Sequence, residues 1–280
     1  MSNALSRLTR RRTRNLGSHL FLILICLIML FPLYWMGVTA LKSLNEALQS
    51  PPTLWPQEWH FENFATVLAG APFGRYLFNT LFTSLVSAIG NVITGALAGY
   101  ALARKEFPAR RTLLVLVLAT MMVPVESTFI PNFVIVRELG WYDSYTALIV
   151  PWLTTAFSIF LFRQAFASVP ESVFEAGKLD GCSDFRMFRS VALPMARATS
   201  ITVFLISFVW GWNAFLWPLL VTANPDLLVI QLGLTSFQTD GGVYVNLLMA
   251  ATAISIIPIA LLFVFTQRFI INGISEGAIR

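Results

Sequence analysis

Long stretches without a charged residue constrain the fold of this chain more than any other feature. Five stretches contain no Asp, Glu, Lys or Arg, and a sixth is interrupted only by Glu126. A helix needs about 20 mainly apolar residues to cross the hydrocarbon core of a bilayer, where backbone polar groups must be bonded within the segment. We therefore predict an all-α membrane protein with six transmembrane helices. The predicted spans are residues 20–41, 76–103, 112–136, 144–162, 198–225 and 241–267.

The composition argues against a soluble fold. Charged residues make up 12% of the chain, against about 25% in an ordinary soluble domain. A buried soluble core is the competing interpretation, but six apolar stretches of this length exceed the helices of such a core.

The positions of the basic residues predict the orientation in the membrane. If the N-terminus lies in the cytoplasm, all Lys and Arg residues except Lys42, Arg75 and Arg137 fall on the cytoplasmic side. This asymmetry follows the positive-inside rule, so both termini are expected in the cytoplasm. The basic pI then reflects orientation, and no nucleic-acid partner is predicted. The predicted organisation is a basic tail at 1–17, a transmembrane domain at 18–271 and a second tail at 272–280.

Signatures of catalysis and of nucleotide binding are missing from the sequence. It contains no G-x-x-x-x-G-K-[ST] phosphate loop, no H-E-x-x-H metal motif, no Cys/His cluster and no catalytic triad pattern. We therefore expect no enzymatic activity, no metal site and no cofactor bound by this chain.

The longest predicted cytoplasmic loop, 168–194, has the pattern of two short helices joined by a turn. Ser168 and Glu171 form the pattern of a capping box at the start of the first helix. Gly181 is suited to end that helix, because glycine adopts positive φ without strain. Ser183 is placed to cap the second helix. Such a loop could dock on a soluble partner or lie against its own helical bundle, and these residues leave both possibilities open.

Within this loop, the run Glu175-Ala176-Gly177-Lys178-Leu179-Asp180-Gly181, followed by Leu193-Pro194, resembles the EAA loop of ABC importer permeases. In that family the loop holds a coupling helix, which inserts into a cleft of the ATP-binding subunit. The resemblance implies that the chain docks on a separate ATPase, where ATP and Mg bind. The docking residues it implies are Glu171, Phe174, Glu175, Ala176, Gly177, Asp180, Gly181, Leu193 and Pro194.

Two residues depart from the family pattern. Gly177 replaces the second alanine of the motif, which weakens helix propensity by about 1 kcal/mol. Ala198 stands where a second proline is common. Both departures leave the framework of helix, glycine and proline intact.

Other segments narrow the resemblance to carbohydrate importers. The runs Glu62-Asn63-Phe64 with Asn79-Thr80, and residues 212–219 (WNAFLWPL), look like signatures of that branch. The end of the chain, from Gln267 through Asn272-Gly273-Ile274 to Gly277-Ala278, is similar to the second permease of maltose-type importers. Residues 123–126 (VPVE) and 161–164 (LFRQ) have local similarity to glycerol-phosphate permeases.

The resemblance implies a type I ABC importer permease fold in a bacterial or archaeal plasma membrane. It implies a second permease subunit in a heterodimer, two ATP-binding subunits and an external solute-binding protein as partners. The expected solute is a sugar, an oligosaccharide, or a related polyol or glycerol phosphate. ATP closes the ATPase dimer, which draws the coupling helices together and switches the permeases between inward-open and outward-open states.

Three residues are candidates for the substrate pathway. Glu126 is the acid deep in a predicted span, and intramembrane acids often face a cavity, although a structural hydrogen bond is equally compatible. Asn213 and its neighbour Trp212 combine an amide with an aromatic ring, as sugar contacts do, but Trp in a span is more often packing.

Two other transporter classes compete with this interpretation. An ion-coupled secondary transporter usually carries several intramembrane acids or matched broken helices, which this sequence lacks. An ABC permease for a non-sugar solute, such as a peptide or metal, is the other alternative. The predicted spans contain neither soft ligands nor many charges, which argues against metals.

Overall fold

The computed structural model divides the chain into two compact units. The first unit comprises Met1–Gly70 with Ser236–Ile256, and the second comprises Ala71–Thr235 with Ile257–Arg280. The side chains of the predicted tails, 1–17 and 272–280, lie outside the described residues, so the predicted domain limits stay a prediction. The structure describes the backbone of residues 2–70, 72–239 and 242–277, and the side chains of residues 18–70, 72–238 and 242–267.

The first unit contains one long apolar helix, short helices and a small hairpin. Strands β1 and β2 are antiparallel, and Gln238 pairs with Val243. The last helix of the chain begins in this unit and continues into the second. The elements are α1 (Ser2–Ala40), α2 (Leu44–Ala47), α3 (Glu62–Gly70), β1 (Gln238–Thr239), β2 (Gly242–Val243) and the start of the final helix, α15 (Val245–Gly277).

Asn63 secures the end of α1, where helix carbonyls have no partner in the helix. Its Nδ2 donates to the carbonyls of Ala40 at 2.8 Å and Lys42 at 2.9 Å. The Nδ2 of Asn246 also donates to the Lys42 carbonyl, at 3.3 Å. Beside Asn63, a hydrogen bond to His60 holds the pKa of the Glu62 carboxyl below its ordinary value. Within the Glu62-Asn63-Phe64 run, Asn63 therefore has a structural role in the first unit.

The second unit is built around one uninterrupted helix, α4, which packs against α8 and α12. Helices α5 and α6 are separated by a 3₁₀ turn, and a π-helical turn lies between α10 and α11. The helices are α4 (Phe73–Arg104), α5 (Arg110–Thr120), α6 (Phe129–Glu138), α7 (Tyr145–Ile149), α8 (Ala156–Ala167), α9 (Glu171–Leu179), α10 (Asp184–Met187), α11 (Leu193–Met195), α12 (Arg197–Trp212), α13 (Leu216–Val221), α14 (Ile230–Gly233) and the remainder of α15.

Small residues of α4 allow α8 to approach it closely. A Cβ added at Gly99 would lie 2.6 Å from Phe162 Cβ and 2.8 Å from the backbone nitrogen of Arg163. A Cβ at Gly95 would lie 2.7 Å from the hydroxyl of Ser158. The G-x-x-x-G pair of the second predicted span is thus a packing surface within this chain, as small faces are in membrane helices.

Four of the six predicted spans correspond to helices long and apolar enough to cross a membrane. These helices cover Ser18–Ala40, Phe73–Arg104, Tyr145–Ala167 and Val245–Gln267. Two bent pairs bring the number to six if each pair is counted as one span. The structure agrees with the predicted all-α class. Some of the predicted spans are bent or broken and are not straight helices.

The third predicted span, 112–136, is a corner. Its two parts, Arg110–Thr120 and Val125–Glu138, are inclined at 100°. The break falls at residues 121–124, where Pro124 lacks an N–H group for a continuing helix. The sequence favours broken helix geometry here, because Glu126 lies between Pro124 and Pro131. The bent pair counts as one span if its two parts are taken together.

The fourth predicted span is interrupted at residues 153–155, between α7 and α8. At this break, backbone groups that lack a partner within a helix form hydrogen bonds with side chains of α4. Thr94 Oγ1 donates to the Leu153 carbonyl at 2.6 Å, and Asn91 Oδ1 accepts from the backbone nitrogen of Thr155 at 3.2 Å. Broken helices in membranes require such partners.

The fifth predicted span, 198–225, is not one continuous helix. Helix α12 ends at Trp212, and the remaining residues form α13 and a loop. Residues Asp184–Met195 form a 77° bend with α12 instead. The uncharged run therefore extends beyond the helix, because apolar residues also fill the compact core around α13.

Candidate functional site

Helix α9 forms the first half of the loop 168–194 and begins without the predicted capping box. Its N-cap is Pro170, which makes no side-chain cap bond. The Ser168 hydroxyl donates to the Ala165 carbonyl instead, at 2.9 Å. The Glu171 carboxylate forms an ion pair with Arg104. The capping-box prediction is wrong because both side chains have partners outside the helix start.

The turn after α9 matches the prediction. Gly181 has φ +73°. Its backbone nitrogen donates to the Lys178 carbonyl at 3.1 Å, and that of Cys182 donates to the Gly177 carbonyl at 2.9 Å. These two bonds define a Schellman turn. Ser183 Oγ then accepts from the backbone nitrogen of Arg186, which confirms it as the N-cap of α10.

One face of α9 is buried within the chain. Phe174 lies in an aromatic core with Tyr100, Phe166 and Phe188, and the Tyr100 ring is 5.2 Å from that of Phe188. This core holds the loop on α4 and α8, so the interpretation that the loop lies against its own bundle is correct for this face. Phe174 therefore packs the inner face of the loop against α4 and α8.

Gly177 is the point of closest approach between the two short helices of the loop. A Cβ added there would lie 2.1 Å from the Cε of Met187, and Met187 is buried. An alanine at this position would therefore require the end of the Met187 side chain to move. The surface that approaches Gly177 belongs to this chain.

The opposite face and the tip of the loop are open. Glu175, Ala176 and Asp180 are exposed. Leu179 is 89% exposed and Phe185 is 66% exposed, and these two apolar side chains flank the Gly181 turn. Our prediction of docking residues missed both of them. Their signal in the sequence was an apolar residue on each side of a helix-ending glycine.

Leu193 and Pro194 connect the loop to α12. A π-helical turn over Phe188–Ala192 precedes them, and the Leu193 nitrogen donates to the Phe188 carbonyl. Proline cannot donate to the preceding turn and clashes with it, which accounts for the irregular helix at this point. The Leu-Pro pair therefore lies at the bend between the loop and α12.

Arg104 is a third residue of the site that sequence reasoning missed. It is the last residue of α4, and its side chain is 12% exposed. Its guanidinium donates to the carbonyls of Phe166 and Val169, pairs with Glu171 and stacks 4.0 Å from the centroid of the Phe174 ring. The sequence shows only a basic residue after a span, which the positive-inside rule already explains.

Glu126 lies in the 3₁₀ turn Val125–Thr128, at the corner between α5 and α6. Its side chain is exposed and has no hydrogen bond or ion pair with any side chain or backbone group in the described residues. The alternative of a structural hydrogen bond therefore receives no support from its surroundings. The other reading, a pathway role, stays a prediction.

Asn213 and Trp212 have different environments. Trp212 is 1% exposed and packs with Ala88 and Phe208 in the core of the second unit. Asn213 is exposed and donates from Nδ2 to the Val209 carbonyl at 2.8 Å, at the end of α12. Trp212 therefore has the packing role that the sequence left open, and Asn213 keeps its carbonyl oxygen available.

A comparison with known families covers most of the chain. The family described as the binding-protein-dependent transport system inner membrane component matches residues 91–276, which include the whole of the loop 168–194. The chain belongs to this family. It is thus a permease subunit of a binding-protein-dependent importer, located in the cell membrane.

Curated relatives of this permease match it over nearly its full length. The sn-glycerol-3-phosphate transport system permease protein UgpE of Pectobacterium atrosepticum is 34% identical over 95% of this chain and 98% of its own length. UgpE of Rhizobium meliloti is 32% identical over the same shares. The resemblance to glycerol-phosphate permeases, first based on two short runs, is confirmed at the level of the family.

Solved structures share the fold of this permease. A chain of a bacterial ABC transporter that imports the acidic polysaccharide alginate superposes with a TM-score of 0.81 at 22% identity, over 92% of this chain and 96% of that chain. A chain of the MetNI methionine ABC transporter superposes with a TM-score of 0.57 at 18% identity, over 71% and 94%. The predicted type I ABC importer permease fold is confirmed.

Proposed function

We propose that this permease is one of two membrane subunits of an ATP-driven importer, and that its loop 168–194 docks on a separate ATP-binding subunit. Two such subunits bind ATP and Mg, and an external binding protein delivers the solute. Both termini of the permease and the loop face the cytoplasm.

The observation that carries this proposal is the two-sided construction of the loop. Its inner face is fixed on α4 and α8 by the Phe174 core. Its outer end presents Leu179 and Phe185, both of which are largely exposed. Exposed apolar side chains on an ordered support are typical of a protein interface. Glu175 and Asp180 add negative charge beside this apolar tip.

The proposed solute is a glycerol phosphate or a related polyol or sugar. Support comes from the relatives named as sn-glycerol-3-phosphate permeases, at 30 to 34% identity over 95% of this chain. A neighbour that imports a polysaccharide shares the fold. Within this proposal, Glu126 and Asn213 line the pathway and accept hydrogen bonds from solute hydroxyl groups.

Reconstituted transport tests the proposal as a whole. The assembly purified through a tag on this permease is placed in liposomes with its binding protein, and uptake of labelled glycerol-3-phosphate and of maltose is measured. We expect uptake that requires both ATP inside and the binding protein outside. Uptake driven by a proton gradient without ATP would show a secondary transporter.

Substitutions at the tip test the docking surface. Leu179→Ser and Phe185→Ser remove exposed apolar groups, so the fold should be unaffected while the co-purified ATPase falls at least about fivefold. Leu139→Ser is the matched control, because Leu139 is 52% exposed at the end of α6 and away from the loop. Full recovery of the ATPase with both tip variants would contradict docking at this surface.

A further inference from the structure

Arg104 joins the membrane-spanning part of the chain to the loop 168–194. Its Nε and Nη2 atoms donate to the Phe166 carbonyl at 3.0 and 2.7 Å, and Nη2 also donates to the Val169 carbonyl. These carbonyls end α8 and begin the loop, where helix groups lack partners. One guanidinium therefore binds the end of α8 and the entrance to α9.

The same side chain is bonded to α9 itself. Nη1 forms an ion pair with Glu171, the first residue of α9. The guanidinium lies 4.0 Å from the centroid of the Phe174 ring, and that ring is buried. Planar stacking and forked hydrogen bonding together are properties of arginine that lysine cannot reproduce. The Arg104 side chain is 12% exposed, whereas that of Glu171 is 62% exposed. The enclosed part of the contact is therefore the one with the two carbonyls and the Phe174 ring.

Other links between α4 and the loop are weaker. Lys105 forms an ion pair with Asp184 of α10, but the Asp184 side chain is 79% exposed and the Lys105 side chain 34%. Exposed ion pairs contribute little. The aromatic contact of Tyr100 with Phe174 is apolar and lacks direction. Arg104 is thus the directional link between α9 and α4 within the described residues.

Helix α4 can carry a displacement as one body. It runs from Phe73 to Arg104 without an internal proline, a length of about 48 Å at 1.5 Å per residue. Near its other end, Asn79 donates to the carbonyls of Asp226 and Leu228 at 2.8 and 2.9 Å. Thr80 Oγ1 accepts from the Ile230 nitrogen at 2.7 Å. Both ends of α4 are therefore bonded to loops.

We infer that Arg104 is a positioning residue that transfers movement of the docking helix α9 to α4, and that α4 carries this movement to the segment 226–230. The inference rests on the proposed function, because it requires an ATPase that moves α9. Arg104 itself contacts neither solute nor nucleotide in this arrangement. Its role is to couple ATP hydrolysis to solute transport.

The test is the amount of solute imported per ATP hydrolysed by the reconstituted assembly. We expect Arg104→Gln to lower this ratio at least about fivefold while the ATPase rate stays near that of the wild type. Arg104→Lys keeps the positive charge but loses the forked hydrogen bonding of the guanidinium. Its ratio should therefore lie between those of the wild type and Arg104→Gln. Arg111→Gln is the matched control, since Arg111 is the exposed second residue of α5 and has no partner in the described residues.

The outcomes separate the inference from the proposed function. A wild-type assembly without ATP-dependent uptake would contradict the proposed function. A working wild type with an unchanged ratio in Arg104→Gln would overturn the inference alone, as would a parallel loss of uptake and hydrolysis. If Arg104→Gln does not assemble, Arg104→Lys decides: a lowered ratio supports the inference, and a wild-type ratio overturns it.

Discussion

Two glycines of the second unit have similar positive φ angles at different places. Gly181 has φ +73° in the turn of the loop, and Gly140 has φ +69° after α6. A Cβ at either position would meet no atom within 4 Å. A side chain at either glycine therefore introduces backbone strain without a clash, and the two positions form a matched pair.

Replacing Gly181 by valine should uncouple transport from hydrolysis. Valine at positive φ costs about 1–3 kcal/mol, so the Schellman turn changes and the tip residues Leu179 and Phe185 are displaced. We expect import per ATP to fall about tenfold at normal abundance of the assembly. Gly140→Val carries the same strain away from the loop and should transport normally. Normal uptake by Gly181→Val would show that the turn geometry is unimportant.

The Glu126 carboxylate should affect transport rather than folding. A hydrogen bond to a charged group contributes about 1.5–3 kcal/mol, and 1.4 kcal/mol corresponds to about tenfold. We expect Glu126→Gln to lower the uptake rate about tenfold at saturating loaded binding protein, with unchanged thermal stability. Asn213→Ala should have a smaller effect, because that amide already bonds to Val209. Wild-type rates for both variants would exclude a pathway role.

At the scale of elements, the contact of α4 with α8 and that of α9 with Met187 both depend on glycine. The neighbours differ in their freedom to move. Gly99 faces the backbone nitrogen of Arg163 and the carbonyl of Ile159, whereas Gly177 faces the flexible end of the Met187 side chain. A methyl group added at Gly99 would therefore displace the backbone of α8. A methyl group added at Gly177 would displace only the end of the Met187 side chain.

Gly99→Ala should therefore destabilise the protein, while Gly177→Ala should be nearly neutral. Overpacking against backbone costs about 1–3 kcal/mol. At Gly177 the displacement of Met187 is offset by a gain in helix propensity of about 1 kcal/mol. Thermal unfolding of the detergent-solubilised assembly measures both, and a lower midpoint for Gly177→Ala than for Gly99→Ala would contradict this ranking.

For the whole molecule, the proposed orientation in the membrane rests on the distribution of basic residues. The connection between α4 and α5 carries Arg104, Lys105, Arg110 and Arg111, whereas the end of α6 carries Arg137 alone. If both termini are cytoplasmic, the connection between α4 and α5 also faces the cytoplasm. Glu106, between α4 and α5, and Leu139, after α6, are both exposed. A label on each residue therefore shows which side of the membrane its loop occupies.

Labelling with a membrane-impermeant maleimide tests this orientation. In a variant with Cys26 and Cys182 replaced by serine, Leu139→Cys should react in intact spheroplasts. Glu106→Cys should react only after the membrane is permeabilised. The reverse pattern would place both termini outside and would exclude docking of the loop on a cytoplasmic ATPase.

The sequence by itself determined the membrane class, the existence of the long helices and the form of the loop. These features depend on local properties: the length of uncharged runs, a serine N-cap at Ser183 and a glycine at positive φ at Gly181. The resemblance of the EAA motif also identified the family, because its residues lie close together in the chain.

Tertiary structure alone decided which parts meet. The 100° angle between α5 and α6 and the end of α12 at Trp212 depend on packing, which hydropathy does not measure, whereas the break itself is favoured by Pro124 and Pro131. The partner of Gly99 and the carbonyls bound by Arg104 lie about 60 residues away in the chain. Such contacts are set by the simultaneous fit of several helices, so no local pattern could have predicted them.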